Sequence, residues 1–384
     1  MKANLKSKST LDVLWKSLLG LTLLIYGLNA ASSILVPIVT SLFLALLLNP
    51  IVSWLEKKGM NSILAIILTL LLVSIVVSSA VFYISTQAKD LIMDLPNLMD
   101  KFNAVIDKIF SQLNNLIGFS STDQLDLLKD NADKLISSGG SIFTDAISVT
   151  SNVVTFITLI PIYIFFFLLY RKNFKHFLSM LSQKNKDSEL LDIAVEIKKM
   201  THSYISGLLI VISIIAILNT VGLLILGLKY ALFMGVVSAI LTVIPYIGVF
   251  IGASLPIMVA LITKDSLMYP IGVVSIYAFV QFVEGNFITP NIIGSKVDVN
   301  PLAAIIALII GGQIWGIIGM ILAIPMCGIM KIIFSHYEST KPYALLLQSS
   351  SNAHREKESK PIELQVKKIF KRKKKAPEAE ENND

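Results

Sequence analysis

Residues 281–301 read Q-F-V-E-G-N-F-I-T-P-N-I-I-G-S-K-V-D-V-N-P, and this polar stretch joins two long apolar segments. It follows Ser266–Val283, which has no charged residue, and places a carboxylate, Glu284, directly after it. A charged side chain at the centre of a membrane helix costs about 2.5–3.5 kcal/mol on insertion scales, so such groups face a protein interior or a water-filled path. Judged by its position alone, Glu284 could equally well mark the end of a helix at the membrane surface. The amide and hydroxyl side chains that follow Glu284 favour a functional role.

The composition of the chain is typical of a membrane protein. Hydrophobic residues make up 54% of it and charged residues only 15%, whereas a soluble domain has about 25% charged residues. A membrane-spanning helix needs about 20 apolar residues. Seven windows without any charged residue are long enough to hold such helices or most of one: Ser17–Leu55, Gly59–Ala88, Ala146–Tyr170, Met200–Leu228, Tyr230–Thr263, Ser266–Val283 and Val299–Met330.

These windows predict an all-α integral membrane protein with about eight transmembrane helices and an extracytoplasmic helical insertion. The predicted parts are three spans in residues 1–87, an extracytoplasmic amphipathic helical region in 88–150, a fourth span with a cytoplasmic connector in 151–200, a transmembrane core in 201–334, and a basic, largely disordered cytoplasmic tail in 335–384. A loop is predicted to begin at Asn49-Pro50, the third span to end near Ser85, and a second outer helix to cover about Ser121–Ser137.

Two of the apolar segments, Tyr230–Ile262 and Pro301–Met330, are predicted to be interrupted. The interrupting residues are Pro245, Gly248, Gly252 and Pro256 in the first segment and Gly311, Gly312, Gly316, Gly319 and Pro325 in the second. Interrupted membrane helices indicate a transport site, although each glycine taken alone is equally well explained by close helix packing. The pattern does not distinguish a kinked span from a re-entrant one.

The distribution of Lys and Arg predicts that both termini are cytoplasmic, because positive residues are concentrated on that side of a membrane protein. With each interrupted segment counted as one crossing, Lys264 is predicted to be cytoplasmic. The run Lys367–Lys375 suits an anionic membrane surface. Nothing else in the chain supports a nucleic-acid partner.

No catalytic, metal or cofactor pattern is present in the sequence. The single cysteine, Cys327, lies in an apolar window, where a small buried residue is the expected role. The four histidines are not spaced as metal ligands. The phosphate-binding loop and the nucleophile elbow are both absent. We therefore expect neither an enzyme nor a resident cofactor.

Six motifs in the carboxy-terminal half resemble those of the autoinducer-2 exporter family of bacterial membrane permeases, and the amino-terminal half matches that family in layout. The motifs are I-P-Y-I-G (244–248), E-G-N (284–286), T-P-N-I-I-G (289–294), N-P-L (300–302), G-G-Q-I-W-G-I-I-G (311–319) and A-I-P (323–325). The resemblance implies a multi-pass protein of the bacterial inner membrane with about eight spans, assembly into a homo-oligomer, and export of a small polar solute such as autoinducer-2. Other members of the family are assigned sodium/proton antiport.

The predicted transport path is centred on Glu284 as the protonatable or cation-binding group. The other predicted path residues are Gln281, Asn286, Thr289, Pro290, Asn291 and Gln313. Asn219 and Thr220 are secondary candidates, for which hydrogen bonding between helices is the expected role. The expected partners are membrane lipid and either a small polar solute or a monovalent cation or proton. Two alternatives remain open: a sodium/proton antiporter that uses Glu284, and a membrane scaffold that transports nothing.

Overall fold

The computed structural model describes residues 10–117, 150–185, 189–244, 247–264 and 266–349, and these residues form helices joined by short connections. One isolated antiparallel bridge joins Val299 and Gln348. The helices are α1 (Thr10–Ala30), α2 (Ser32–Lys57), α3 (Ser62–Ile117), α4 (Thr150–Leu169), α5 (Arg171–Asn185), α6 (Glu189–Ile225), α7 (Ala231–Leu241), α8 (Ile247–Thr263), α9 (Met268–Val283), a π-helical segment (Glu284–Ile288), α10 (Thr289–Ile292), a 3₁₀ turn (Gly294–Lys296), α11 (Pro301–His336) and α12 (Lys341–Leu347).

Five helical stretches of the described chain are long and apolar enough to cross a membrane: Ser32–Lys57, Ser62–Asp94, Leu190–Ile225, Met268–Ile292 and Pro301–His336. Shorter apolar helices cover Leu18–Ala30, Thr158–Leu169, Ala231–Leu241 and Gly248–Thr263. The described chain is therefore all-helical with several candidate membrane spans, as the composition predicts. The total of about eight spans stays a prediction.

The described residues divide into two compact units. The first contains the chain up to Phe177 and from Thr201 to Ile293, and the second contains Leu178–Met200 and the chain from Gly294 onward. In the first unit, α2, α3 and α4 share one core of buried aliphatic side chains, including Val52 and Ile66. A second core in that unit joins α3, α6, α7, α8 and α9.

The predicted loop at Asn49-Pro50 is wrong, because α2 continues through Pro50 to Lys57. Proline removes only one backbone hydrogen bond from a helix, and the surrounding core is apolar enough to retain the helical path. The helix ends at Gly59, where the amide of Gly59 donates to Glu56 and the amide of Met60 donates to Leu55. This is the Schellman arrangement, for which glycine with positive φ is favoured; Gly59 has a φ of 93°.

The predicted third span and the outer amphipathic region predicted to follow it share one helix, because α3 is continuous over 56 residues. Its length is about 84 Å, well beyond the thickness of a bilayer. Near the level where the third span was predicted to end, Leu91 is buried against Leu223, Phe233 and Val259. Packing on these partners lets the helix continue after its apolar run ends. The predicted second outer helix, Ser121–Ser137, lies outside the described residues.

An ion pair attaches α3 to the connection before α7. The Asp94 carboxylate accepts hydrogen bonds from Lys229 Nζ at 2.6 Å and from the Tyr230 hydroxyl at 2.8 Å. The bond to Asp94 raises the pKa of Lys229, so this ammonium group stays charged over the physiological range. The α6 helix ends just before this contact at Gly227, another glycine with positive φ in a Schellman arrangement.

The first interrupted segment folds back on itself as a hairpin of α7 and α8. The described part of the connection comprises residues 242–244, and Pro245 lies outside the described residues. A Cβ at Gly248 would overlap the carbonyl oxygen of Leu241, and one at Gly252 would lie 3.0 Å from Ser238 Cα, so the two backbones are in close contact. Lys264 Nζ lies 3.4 Å from the Cβ position of Gly227. The two ends of the hairpin are therefore adjacent. Pro256 is buried within α8.

The second interrupted segment, in the second unit, folds in the same way within α11. Its backbone leaves the helical region at Trp315 and at Gly316, where φ is 61° and ψ is −141°. The two halves then approach closely, because a Cβ at Gly311 would lie 2.5 Å from the carbonyl oxygen of Gly319. Gly312 contacts the Met320 side chain. Pro325 is buried within the second half of the helix.

The start and the end of this second hairpin are joined by a mostly buried ion pair. Lys331 Nζ lies 2.5 Å from Asp298 Oδ2, and the two side chains are 18% and 13% exposed. Asn300 caps the first half of α11, since its side-chain oxygen accepts a hydrogen bond from the Ala303 amide at 2.8 Å. The chain before Pro301 and the last turns of α11 therefore lie together.

Candidate functional site

Glu284 is the first residue of the π-helical segment that continues α9. Its carboxylate accepts a hydrogen bond from Gln281 Nε2 at 2.7 Å and another from the Thr289 hydroxyl. A π-helix has more residues per turn than an α-helix, which brings residues five positions apart onto one side. Short π-helical segments are frequently found at functional sites. The helical irregularity thus lets Thr289 reach a carboxylate five residues before it.

The ion pairs found among the described residues do not include Glu284. Its hydrogen-bond donors are neutral, and its side chain is only partly exposed. The described contacts of this carboxylate are therefore with neutral groups, Gln281 and Thr289.

The structure does not bring together all of the residues predicted to line the path. Asn286 and Asn291 are exposed, and their amides donate to the carbonyl oxygens of Phe282 and Phe287 on the same helical stretch, at 2.8 and 2.7 Å. Pro290 is exposed near the start of α10. Gln313 is exposed on α11 in the second unit. Gln281, Glu284 and Thr289 form the connected group.

A small cavity lies beside this group in the first unit, with room for roughly one water molecule. Its lining comes from α6, α7 with the connection after it, α8, α9 and the π-helical segment, and consists of Ile215, Asn219, Ser238, Thr242, Val249, Tyr277, Val280, Gln281 and Glu284. The α7 helix has only 11 residues and ends beside the cavity. A short half-helix that ends next to a carboxylate is a feature of ion and solute sites in transporters.

Ser238 and Tyr277 form a buried hydrogen-bonded pair in the wall of the cavity. Ser238 Oγ lies 2.6 Å from the Met234 carbonyl oxygen, 2.7 Å from the Gly252 carbonyl oxygen and 2.7 Å from the Tyr277 hydroxyl. Carbonyl oxygens only accept, so the single proton of Ser238 goes to one of them and Tyr277 donates to Ser238. The pair fixes the α7–α8 hairpin against α9.

Asn219 is the least satisfied polar group of the cavity wall. Its side chain is 2% exposed, and its Oδ1 atom has no hydrogen-bond partner within the described protein. A buried amide oxygen without a partner costs about 1–3 kcal/mol. The α7 helix closes over this region, since a Cβ at Gly235 would lie 2.7 Å from the Thr220 backbone nitrogen. Asn219 thus lines the cavity with a buried amide oxygen that has no hydrogen-bond partner in the described protein.

Sequence reasoning missed Ser238, Thr242 and Tyr277, and ranked Asn219 as secondary. A signal for Tyr277 was present, because Tyr277, Gln281 and Glu284 are four and three residues apart and share one helical face. Ser238 and Thr242 have the same spacing, but which face of α7 meets α9 depends on the hairpin. That arrangement is not visible in the local sequence.

Comparison with known proteins identifies a matching family and several relatives. The family described as "AI-2E family transporter" matches residues 18–339 of this chain. YrrI of Bacillus subtilis (strain 168) is 27% identical over 317 residues, covering 79% of this chain and 87% of YrrI. The protein named AI-2 transport protein TqsA, of Escherichia coli (strain K12), is 24% identical over 337 residues, covering 85% of this chain and 93% of TqsA.

The matched range includes every candidate membrane span of the described chain and both hairpins, together with Glu284 and the cavity. The apolar composition and this match agree with one another. The chain belongs to the AI-2E family of membrane transporters.

Proposed function

We propose that this protein is a secondary transporter that exports a small polar solute such as autoinducer-2 across the bacterial inner membrane. One observation carries the proposal. Glu284 accepts hydrogen bonds from neutral side chains only, and it lines a cavity beside which the short helix α7 ends. A carboxylate without a cationic partner can be protonated and deprotonated in a transport cycle. The name of TqsA supports autoinducer-2 as the solute. Assembly into a homo-oligomer and cytoplasmic termini are parts of the same proposal.

Glu284→Gln is expected to reduce solute efflux to the background level while the protein remains folded. The substitution retains the shape of the side chain and removes the titratable group. The measurement is efflux of autoinducer-2 from proteoliposomes that contain the purified protein. Glu338→Gln is the matched control, because Glu338 is 86% exposed and its ion pair with Lys341 is at the surface. Unchanged efflux in folded Glu284→Gln would contradict a carboxylate-dependent transporter, whereas background efflux in the wild-type protein itself would favour a scaffold that transports nothing.

The size of the cavity favours a second candidate, sodium/proton antiport through Glu284. With room for roughly one water molecule, the cavity accepts an ion more readily than a sugar-sized solute. The test is the internal pH of proteoliposomes after a pulse of external sodium. Proton movement that is lost in Glu284→Gln would make antiport the leading function. The absence of proton movement would remove it.

We also propose that both interrupted segments are re-entrant hairpins rather than single crossings. With α7 only 11 residues long, its length of about 16 Å is half the thickness of the hydrocarbon core. The contact between Lys264 and Gly227 supports a segment that returns to the side it entered. This differs from the prediction that counted Tyr230–Ile262 as one crossing and placed Lys264 in the cytoplasm.

A labelling experiment tests this topology. In a Cys327→Ala background, cysteines that replace Lys229 and Lys264 are expected to react with a membrane-impermeant thiol reagent from the same side of intact cells or vesicles. Cysteine at exposed Trp54 near the end of α2 serves as a marker for one membrane surface. Reaction of the two positions from opposite sides would contradict the hairpin and restore the single crossing.

A further inference from the structure

We infer that the end of α2 and the start of α5 together form a binding surface for the headgroups of anionic phospholipids. This basic surface consists of Lys57, Lys58, Arg171, Lys172 and Lys175. It shares no residue with the cavity beside Glu284. The inference is therefore independent of the proposed transport function.

An ion pair joins the two segments that form the basic surface. Arg171 is the first residue of α5, and its Nη2 atom donates a hydrogen bond to the carboxylate of Glu56 in the last turn of α2. Both side chains are mostly buried, and both residues belong to the first unit. The exposed residues Lys57 and Lys58, which directly follow Glu56, therefore lie close to the start of α5.

The charge of the basic surface is strongly positive. Residues 54–62 and 170–177 contain five Lys and Arg residues and one carboxylate, which leaves a net charge of +4 with His neutral. The carboxylate, Glu56, is already paired with Arg171. The four lysines of the surface are exposed and make no ion pair among the described residues. Clusters of Lys and Arg beside a membrane span attract anionic lipid headgroups.

The basic surface lies at the ends of two apolar helices. The candidate span Ser32–Lys57 ends within it, and the apolar helix Thr158–Leu169 ends directly before it. Trp54 is exposed beside it, and Lys58 Nζ lies 3.6 Å from the centroid of the Trp54 ring. Because tryptophan is enriched where a membrane meets water, this contact places the lysines at the level of the lipid headgroups.

The α5 helix has an apolar face that a lipid would cover. Its apolar side chains follow one another at spacings of three, one and three residues, which places them on one side of the helix: Phe174, Phe177, Leu178 and Leu181. Phe174 is 51% exposed and Phe177 is 61% exposed. The same helical spacing places Lys172 and Lys175 away from Phe177. Helices with this division of residues lie in the membrane interface, whereas a free anion would leave the two phenylalanines in water.

The first test is the Tm of the full-length protein in detergent with added short-chain phosphatidylglycerol, short-chain phosphatidylcholine or inorganic phosphate. A ligand that binds the folded state raises Tm. We expect phosphatidylglycerol to raise Tm above its value in phosphatidylcholine, and inorganic phosphate at the same concentration to have no such effect. Equal Tm values in the two lipids, or an equal rise with inorganic phosphate, would overturn the inference.

Lys172→Gln combined with Lys175→Gln is expected to weaken the apparent affinity for phosphatidylglycerol about tenfold or more, because two charges near the lipid surface are lost. Arg171 is retained because it pairs with Glu56. The matched control combines Lys198→Gln with Lys199→Gln, two exposed lysines of α6. An equal loss of affinity in the two double variants would indicate a diffuse effect of charge and contradict a site on the basic surface.

The second test measures whether the apolar face enters the lipid. In a Cys327→Ala background, Phe177→Cys and His176→Cys are labelled with a fluorophore, and each protein is placed in phosphatidylglycerol nanodiscs with brominated acyl chains. We expect stronger quenching at position 177 than at exposed position 176, which lies on another side of the helix. Equal quenching would refute the inserted face. Weak quenching at position 177 together with crosslinking between Phe177→Cys chains would assign the face to a second copy and overturn the inference.

Discussion

Gly248→Ala is expected to destabilise the protein by about 3 kcal/mol or more, at or beyond the upper end of the range for overpacked cores. The added Cβ would overlap the carbonyl oxygen of Leu241. Because that atom belongs to the backbone of α7, no side-chain rotation can remove the overlap. The hairpin of α7 and α8 would have to open, which would also separate Ser238 from the Gly252 carbonyl oxygen. Thermal unfolding of the purified protein in detergent measures the effect.

Two other glycines provide a graded comparison. Gly252→Ala is expected to have a smaller effect, because its Cβ would lie 3.0 Å from Ser238 Cα and 3.1 Å from Ser238 Cβ. Gly20→Ala in α1 has no atom within 4 Å of the new Cβ, and alanine's higher helix propensity predicts a gain of up to about 1 kcal/mol. If the Gly248→Ala protein unfolded at the same temperature as the Gly20→Ala protein, the backbones of α7 and α8 would not be in contact.

Lys331→Met is expected to cost about 2–3 kcal/mol, because a hydrogen bond between charged groups is lost, and partial exposure keeps the cost below the roughly 3–5 kcal/mol of a fully buried pair. Lys331 and Asp298 join the two ends of the second hairpin, and the Asp298 side chain is only 13% exposed. Methionine retains much of the buried length of lysine while leaving the carboxylate without its cation. The measurement is again the free energy of unfolding, from thermal or denaturant melting in detergent.

The rescue variant makes this prediction specific. Lys331→Met combined with Asp298→Asn is expected to regain most of the loss, because asparagine removes the charge and tolerates the positive φ of 48° at this position. Lys341→Met is the control, since its pair with Glu338 is exposed and such pairs contribute at most about 1 kcal/mol. Equal costs for Lys331→Met and Lys341→Met would contradict a stabilising role for the buried pair.

The predictions that failed did so where local signals compete with packing. Asn49-Pro50 has the residues of a loop, yet α2 continues through it because one face of the helix packs Leu48 and Val52 into an apolar core. The third span and the outer region predicted after Ser85 form one helix, and Leu91 beyond Ser85 is buried in a core shared with α6, α7 and α8. Propensity is a weak signal beside such tertiary contacts.

The candidate site shows the same limit. Glu284 could be selected from the sequence because a carboxylate after an uncharged apolar segment is unusual. Asn286 and Asn291 were selected with it because they are close in sequence, but their amides bind their own helix. Closeness in sequence does not determine which side chains face one another. The residues that do meet Glu284 across the cavity come from α6, α7 and α9.

The sequence by itself determined the class of this protein, the presence of several apolar helices and the prominence of Glu284. These follow from composition, charge-free windows and the positions of Gly and Pro, which act locally along the chain. Only the tertiary structure decided that the interrupted segments fold back on themselves and that Asn219 and Thr242 lie beside Glu284. The physical reason is that backbone contact at Gly248 and Gly252 sets which face of α7 meets α9, and such contacts join residues far apart in sequence.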